Sequence, residues 1–380
     1  MQIRSKLPNV GTTIFTVMSA MANEYGAINL SQGFPNYPTS QKLNDLVTHH
    51  LNIGHNQYAP MTGVPELQEQ IALKFKRMYD VDVDPSTEVT ITSGATEGIF
   101  TTIASLVHQG EEVIILEPAY DSYRPAVKIC GAVPVIHQLY APDFAIAWDA
   151  IAARITSRTR MIIINTPTNP TGYVFTAEDM EALERITADT NILVLSDEVY
   201  EHLIYDGREH QSVLRFPNLR QRSLAVYSFG KTFHTTGWRI GYCVAPPELT
   251  AEFRKVHQFN TFSINTPLQY ALADFLKDPT EYLGLPDFFQ RKRDYFLQRL
   301  EGSRLKPLKS SGTYFHLFDY TDISDMREKE FAIWMTQQLG VAAIPVSAFY
   351  GDGYNNGLIR LCFAKTEATL EAATERLQGL

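Results

Sequence analysis

The chain has 380 residues and a formal net charge of −9, with 44% hydrophobic and 20% charged residues. These values are typical of a globular protein and exclude a disordered or fibrous chain. The acidic balance argues against a nucleic-acid partner, because there is no basic surplus to displace phosphate counterions. A chain of this length usually forms two domains.

The amino-terminal stretch MQIRSKLPNVGTTIF has no apolar signal core, and no run of about 18 apolar residues predicts a membrane span. Cys130, Cys243 and Cys362 lie far apart without metal-type spacing. We interpret them as reduced thiols that fill the core. We therefore expect a cytoplasmic protein that binds neither a membrane nor a metal.

Short apolar runs alternate with helical patterns in the first three quarters of the chain. These runs predict strands buried on both faces. They are EVTIT at 88–92, EVIIL at 112–116, RMIIIN at 160–165, NILVLSDE at 191–198 and SLAVYSF at 223–229. Between two of them, TAEDMEALERITADT has an acidic start and apolar residues at helical spacing, which predicts a helix. The alternation predicts an α/β fold whose mostly parallel central sheet is flanked by helices.

The pattern changes after about residue 275. A charged helical stretch, DFFQRKRDYFLQRLE, precedes GTYFHLFDY, a helical stretch near 328–339 and GLIRLCFA. This order predicts a second, smaller α/β domain. We expect the large domain to span 41–275, with 1–40 and 276–380 forming the amino-terminal arm and the small domain.

The common nucleotide and hydrolase motifs are missing from the sequence. It contains no glycine fingerprint G-x-G-x-x-G that opens a helix after the first strand and no phosphate loop G-x-x-x-x-G-K-[ST], which excludes a dehydrogenase on a doubly wound sheet. It also lacks H-E-x-x-H and G-x-S-x-G. The chemistry must come from residues at the carboxyl ends of the strands, where ligands bind to sheets of this kind.

Two of the predicted strand ends carry groups that can bind an anion and orient an amide. In TSGATEG, 92–98, small residues open a helix whose free N–H groups at Ala95 and Thr96 can bind phosphate, and Glu97 should then face away. In NTPTNPTG, 165–172, two prolines fix the loop and hold Asn169 in one orientation.

A third strand end carries Asp197, which follows a buried strand directly and is costly there unless it meets a cation or strong donors. Tyr200 comes three positions later. The fourth, SFGKTFHTTGWRIGY, reads like a turn and contains Ser228, Lys231 and Arg239. Together these could hold an anion and a carbonyl carbon, and lysine is the side chain that forms Schiff bases.

The four strand ends suit pyridoxal 5'-phosphate. Its aldehyde needs a lysine, and its ring nitrogen needs a carboxylate if the ring is to act as an electron sink. Its ring oxygen needs donors, and its phosphate needs N–H groups, a hydroxyl and an arginine.

With these features together, the sequence resembles the class I/II aminotransferases of pyridoxal-phosphate fold type I, over nearly the whole chain. Within them the likeness is greatest to bacterial methionine aminotransferases and kynurenine aminotransferase-like enzymes, on LPNVGTTIFTVMSAMA and GKTFHTTGW. The motifs that appear in the family's order are NLSQGFP, NQYAPMTGVPEL, EPAYDSY, NTPTNPTG, SDEVYEHL, SFGKTFHTTGWRIGY and IRLCFA.

The resemblance implies roles at the cofactor. Lys231 would bind the cofactor covalently and move the proton, Asp197 would pair with the ring nitrogen, and Tyr120 would stack on the ring. Asn169 and Tyr200 would hold the ring oxygen, with Tyr200 counted among the catalytic residues. The phosphate would be bound by Ala95, Thr96, Ser228 and Arg239.

The resemblance also implies substrate contacts and a homodimer. Arg360 would bind the substrate α-carboxylate in a two-pronged pair, beside Gly33, Asn169 and Phe15. Tyr58 would reach the phosphate of the neighbouring subunit, and Phe262 could also come from the partner.

The implied activity is transfer of an amino group from an amino acid to a 2-oxo acid. The aromatic lining and the lack of a second arginine for a dicarboxylate disfavour aspartate and favour methionine, phenylalanine, tyrosine, histidine or glutamine, with methionine as our prediction. His234 and Thr235 replace smaller or apolar residues of the wider family, which bears on substrate preference. A cysteine-S-conjugate β-lyase or a kynurenine–oxoglutarate transaminase on the same scaffold remains an alternative, whereas a transcription factor would need an added basic domain that this chain has no room for.

Overall fold

The computed structural model describes residues 3–380. Its thirteen strands form three sheets. The strands are β1 (Ile28–Asn29), β2 (Val89–Thr92), β3 (Glu112–Glu117), β4 (Val133–Gln138), β5 (Thr159–Asn165), β6 (Leu193–Asp197), β7 (Ser223–Ser228), β8 (Gly241–Val244), β9 (Lys306–Pro307), β10 (Phe315–Asp319), β11 (Val341–Ala342), β12 (Ile344–Pro345) and β13 (Leu358–Cys362).

The α-helices surround these sheets. They are α1 (Ile14–Glu24), α2 (Gln41–Asn52), α3 (Pro65–Tyr79), α4 (Gly94–Leu106), α5 (Tyr123–Ile129), α6 (Trp148–Ala152), α7 (Ala177–Thr187), α8 (Pro217–Arg220), α9 (Phe229–Thr232), α10 (Pro247–Asn260), α11 (Thr266–Leu276), α12 (Thr280–Leu283), α13 (Leu285–Arg299), α14 (Glu328–Trp334) and α15 (Glu367–Leu377). Within residues 3–380, every helix is too short or too polar to span a lipid bilayer.

The central sheet has seven strands in the order β2-β8-β7-β6-β5-β3-β4. The pairs among β7, β6, β5, β3 and β4 are all parallel, whereas β8 runs antiparallel to both β7 and β2. Since β8 alone is reversed, β2 and β7 point in the same direction and their carboxyl ends meet at one edge. The predicted mostly parallel α/β fold is therefore confirmed, with β8 and β4 as strands that the sequence patterns did not predict.

Burial on both faces explains the continuous apolar runs of this sheet. In β5, Ile162 and Ile164 belong to one hydrophobic cluster, while Met161 and Ile163 belong to another. The alternation follows from successive strand side chains pointing to opposite faces. Helix α7 begins at a capping box in which Thr176 and Asp179 each bond the other's backbone N–H, which fixes one of the covering helices.

The smaller sheet is antiparallel and has the order β12-β13-β10-β9, and a short parallel pair joins β1 to β11. The hydrophobic core beside the smaller sheet also includes residues of the amino-terminal arm and of the segment after β6, such as Leu30 and Leu203. The helix expected near 328–339 is α14 followed by a π-helical turn over Met335–Leu339. The domain boundaries near residues 40 and 275 stay a prediction.

The stretch 228–242, which the sequence presents as a turn, contains regular structure. Its first part forms the short helix α9, and Thr236–Trp238 forms a 3₁₀ turn. The connection returns directly into β8, so it stays at the same edge of the sheet where β7 ends. Lys231 therefore lies on a helical turn rather than in an open loop.

Candidate active site

A cavity of about 390 Å³ lies at the carboxyl ends of the central strands. Twelve of the residues singled out in the sequence line this one cavity. They are Phe15, Gly33, Ala95, Thr96, Tyr120, Asn169, Asp197, Tyr200, Ser228, Lys231, Arg239 and Arg360. Residues that are distant in sequence meet here because the strands that precede them end at a common edge.

Asp197 is the last residue of β6 and is only 4% exposed. Its Oδ2 accepts a 2.6 Å hydrogen bond from the hydroxyl of Tyr123, and its Oδ1 accepts a 3.3 Å bond from the backbone N–H of Val199. Burial raises the pKa of Asp197 to about 6, although the Tyr123 and Val199 hydrogen bonds and the charge of Lys231 act in the opposite direction. A cationic or N–H-bearing ligand group would relieve this cost of burial.

Lys231 lies on α9, one turn beyond the end of β7, and its amine is partly buried in the cavity. Its Nζ is 3.3 Å from the carbonyl oxygen of Gly33 and 5.9 Å from the centre of the Tyr314 ring. Burial lowers the pKa of Lys231 to about 8, and the positive charges of Arg239 and Arg360 add to this effect. An amine with such a pKa has a reactive neutral fraction near neutral pH.

A cradle of donor groups that could hold an anion lies where β2 leads into α4 and where β8 begins. Gly94 has φ +73°, and a Cβ built there would lie 2.6 Å from Nη2 of Arg239. A Cβ at Gly241 would lie 2.9 Å from the backbone nitrogen of Ala95. The missing side chain of Gly94 leaves room for the Arg239 guanidinium at the start of α4, and that of Gly241 lets the β8 backbone approach the nitrogen of Ala95. The first N–H groups of α4 have no partner within the helix.

Glu97 faces away from this cradle, as the sequence required. Its Oε1 accepts a 2.6 Å hydrogen bond from the hydroxyl of Thr101 and lies 3.1 Å from Nδ1 of His257 on α10. Its Oε2 accepts a 3.2 Å bond from the backbone N–H of Ser93. The carboxylate is thus paired outside the cavity and does not bond the N–H groups of Ala95 and Thr96.

Arg360 on β13 is a buried cation, 1% exposed. Its Nη1 donates to Oδ1 of Asn169 at 2.7 Å, its Nη2 donates to the carbonyl oxygen of Ser31 at 2.8 Å, and its Nε has no partner in residues 3–380. The guanidinium lies 3.7 Å from the ring centre of Phe315. Burial lowers the pKa of Arg360 to about 10. No carboxylate within residues 3–380 forms an ion pair with this charge, which makes it suited to a carboxylate ligand.

Two predicted contributors lie outside the cavity. Tyr58 is 81% exposed and Phe262 is 55% exposed. Their rings meet edge to face with centroids 5.3 Å apart. Within a single chain they therefore form a surface aromatic pair.

Other lining residues went unnoticed in the sequence. They are Thr13, Gln32, Ile99, Asp121, Asn165, Val199 and Phe315. Tyr123, which bonds Asp197, lies within the motif EPAYDSY, so its motif was noticed but its role was not. Tyr314, whose hydroxyl donates to the Gly33 carbonyl oxygen at 2.5 Å, lies in a stretch that was treated only as a strand.

Comparisons with known proteins agree with this geometry. The family model described as aminotransferase class I and II matches residues 25–377. The methionine aminotransferase of Escherichia coli strain K12 is 51% identical over 378 residues, covering 99% of this chain and 98% of that protein. Human kynurenine–oxoglutarate transaminase 1 is 33% identical over 396 residues, covering 94% and 93%. A crystal structure from Escherichia coli, reported with a methionine aminotransferase function, superposes with a TM-score of 0.98 at 50% identity, covering 100% of both chains.

A match of this extent, together with the cavity at the strand ends, settles the family. The chain belongs to the class I and II aminotransferases and is a transaminase.

Proposed function

We propose that this protein transfers the amino group of methionine to a 2-oxo acid, using pyridoxal 5'-phosphate bound in the cavity. The observation that carries the proposal is that Lys231, with a pKa of about 8, and Asp197, with a pKa of about 6, line the same cavity. The choice of methionine is supported by the 51% identity with an enzyme of that name.

The residues of the cavity fit pyridoxal phosphate. The cradle of Gly94, Ala95, Thr96, Ser228 and Arg239 offers N–H groups, hydroxyls and a guanidinium, which are the donors a phosphate needs. Asp197 would face the ring nitrogen and hold a proton there.

The remaining contacts are proposed for the ring. Asn169 and Tyr200 would donate to the ring oxygen, and Tyr120 would stack on the ring. When bound, the cofactor supplies an electron sink for negative charge that develops on the substrate α-carbon.

Lys231 would act twice. Its neutral amine is the group that would hold the cofactor covalently, and Nζ is the base that would take up the α-proton of the substrate and give it back. Asp197 would stay ionised and keep the opposite end of the ring protonated. Tyr123, through its bond to Oδ2, would hold that carboxylate in one orientation.

The substrate would be anchored through its α-carboxylate. Arg360 would donate to it, and the backbone of Gly33 and the amide of Asn169 would lie beside it. Phe15 on α1, whose ring centre is 5.3 Å from the Arg360 guanidinium, would contact the side chain. Methionine suits such a lining, since its thioether makes favourable contacts with aromatic edges.

We further propose a homodimer in which Tyr58 completes the partner's phosphate site. The exposed aromatic pair of Tyr58 and Phe262 supports this, because large exposed aromatic groups mark interaction surfaces. A complementation experiment tests it: Tyr58→Ala and Lys231→Ala chains are unfolded together and refolded as a mixture. Heterodimers would then rebuild one native site each, so that about a quarter of the sites recover activity. A mixture as inactive as its components would contradict a contribution across the interface.

The function itself is tested with the cofactor-loaded protein and a panel of amino acids against one 2-oxo acid. We expect methionine to lead, and Lys231→Ala to lose turnover by orders of magnitude while Lys309→Ala, an exposed lysine outside the cavity, behaves like the native chain. Borohydride should trap the cofactor on Lys231, as read by mass spectrometry. Aspartate leading the panel, or pyruvate release from a cysteine conjugate without an acceptor as the main activity, would overturn the proposal.

A further inference from the structure

Two carboxylates line the cavity, and the proposed function accounts for only one of them. Asp197 is held by Tyr123 and by the backbone of Val199 and is assigned to the cofactor. The other is Asp121, which follows Tyr120 in the segment between β3 and α5. Desolvation of a charged side chain is costly, so a carboxylate in a substrate cavity suggests a role in binding.

The surroundings of Asp121 leave its charge available to the cavity. The side chain is partly buried, and within residues 3–380 it forms no ion pair and no hydrogen bond with another side chain. Burial raises the pKa of Asp121, and the positive charge of Arg360 lowers it. Arg360 lines the same cavity, so the cation whose charge acts on Asp121 is the one proposed to bind the substrate α-carboxylate.

We propose that Asp121 determines substrate specificity by repelling amino acids whose side chains carry a carboxylate. This inference rests on the proposed function, because it takes the α-carboxylate to sit at Arg360. It names the substrate class as amino acids with uncharged side chains.

The physical argument is one of charge balance. In the free enzyme Arg360 partly compensates Asp121. Once the α-carboxylate of a substrate pairs with Arg360, the arginine no longer offsets the negative charge of Asp121. A second carboxylate on the substrate would then be repelled by Asp121. Charges in a partly desolvated cavity interact several times more strongly than charges in water. The rings of Phe15 and Phe315, which line the same cavity, offer an acidic side chain no donor. Rejection by a repulsive element is a common source of specificity.

The first test is kinetic and uses Asp121→Asn, which keeps the shape of the side chain and removes its charge. We expect kcat/KM for glutamate to rise about tenfold or more, while kcat/KM for methionine changes by less than about threefold. Asp325→Asn, which neutralises an exposed carboxylate outside the cavity, is the matched control and should leave both values unchanged. An unchanged ratio of the two kcat/KM values in Asp121→Asn would overturn the inference.

The second test does not depend on turnover. Glutarate and pentanoate have the same chain length and differ in one carboxylate, so calorimetric titration of the cofactor-loaded protein compares them directly. In Asp121→Asn we expect glutarate to bind about tenfold more tightly and pentanoate to bind as before. Equal changes for both ligands, or none, would refute the role of Asp121. Asp121→Ser is measured alongside, so that the result holds if the asparagine variant folds poorly.

The two proposals can fail separately. If the native protein does not transaminate methionine, the proposed substrate is wrong, yet the glutarate–pentanoate comparison still decides whether Asp121 repels a second carboxylate. If methionine leads the panel and Asp121→Asn changes neither ratio, the function stands and the specificity role falls.

Discussion

The hydroxyl of Tyr123, the first residue of α5, donates a 2.6 Å hydrogen bond to Oδ2 of Asp197, the last residue of β6. This bond favours the ionised carboxylate, so Tyr123→Phe should raise the pKa of Asp197 above its value of about 6. Association of pyridoxal phosphate with the cofactor-free protein should fall at low pH, and we call this fall the acid limb. We expect the midpoint of the acid limb to move up by about one pH unit. Tyr282→Phe, a buried tyrosine that accepts from Arg77 elsewhere, is the control. An acid limb that stays in place would show that the bond does not tune Asp197.

Asp197 should also destabilise the cofactor-free protein at neutral pH. Its pKa rises from 3.8 to about 6 on folding, so the folded state holds more protons than the unfolded state between these values. Stability from this group is therefore full below pH 3.8 and is lost as the pH rises through about 6, a difference of up to about 3 kcal/mol. Asp197→Asn should raise Tm at pH 8, and the gain should shrink toward pH 4. A gain that does not depend on pH would contradict this origin.

The missing side chain of Gly94 should matter for cofactor binding, and its positive φ should matter for stability. A Cβ there would lie 2.6 Å from Nη2 of Arg239, so Gly94→Ala must displace the guanidinium. We expect the Kd of pyridoxal phosphate to rise about tenfold or more, with a loss of about 1 kcal/mol in stability from the positive φ. Gly110→Ala is the matched control, because Gly110 has φ +83° and open space around its Cβ position. It should lose similar stability and keep cofactor affinity, and equal losses of affinity in both variants would refute the clash.

Arg239 should tune the amine of Lys231. Burial is the main cause that lowers the pKa of Lys231 to about 8, and the charge of Arg239 is the next. Arg239→Gln should therefore raise that pKa. The measurement is the pH dependence of reductive methylation at Lys231 in cofactor-free protein, followed by mass spectrometry. Arg291→Gln, an exposed arginine of α13, should leave the titration unchanged. A curve for Arg239→Gln that coincides with the native one would rule out this coupling.

A buried ion pair joins α3 to the segment that follows β6. Lys74 on α3 donates to Oε1 of Glu201 and, at 2.8 Å, to the hydroxyl of Tyr242, while Tyr79 donates to Oε2 of Glu201 at 2.7 Å. Burial lowers the pKa of Lys74, and the charge of Lys74 holds the pKa of the buried Glu201 at about 2. Lys74→Met leaves Glu201 without its cation and should cost about 3–5 kcal/mol in urea unfolding.

The double variant Lys74→Met/Glu201→Gln separates pairing from packing. Because it removes both charges, it should lose less than the sum of the two single variants. Additive losses would mean that the two side chains stabilise the fold independently.

The strongest predictions from sequence concern strands that are buried on both faces. β5, β6 and β7 are continuous apolar runs, and a polar residue directly after such a run must lie at the sheet edge, which is how Asp197 was found. β4 was not predicted because it is an edge strand, with partly exposed residues and a proline at position 134. β8 was not predicted because it begins at Gly241, inside the stretch 228–242 that the sequence presents as a turn.

Within the site, single-residue patterns could not reveal how side chains pair. Tyr123 looked like one more aromatic beside Tyr120, and only the arrangement of α5 against β6 brings its hydroxyl to Asp197. The sequence neighbours of Asp121 gave no sign of its position in the cavity. The cation that acts on it, Arg360, lies far along the chain on β13. Long-range contacts of this kind depend on how elements that are distant in sequence pack together, which no local pattern encodes.

The reversed direction of β8 has a consequence for how the molecule can move. Lys231 and Arg239 belong to one connection between β7 and β8, whereas Arg360 is on β13 of the other sheet. A rotation of one sheet against the other would carry Arg360 away from the cavity and leave the spacing of the amine and the other guanidinium intact. Such a rotation would separate a carboxylate ligand from Arg360 without disturbing the groups that are proposed to hold the cofactor.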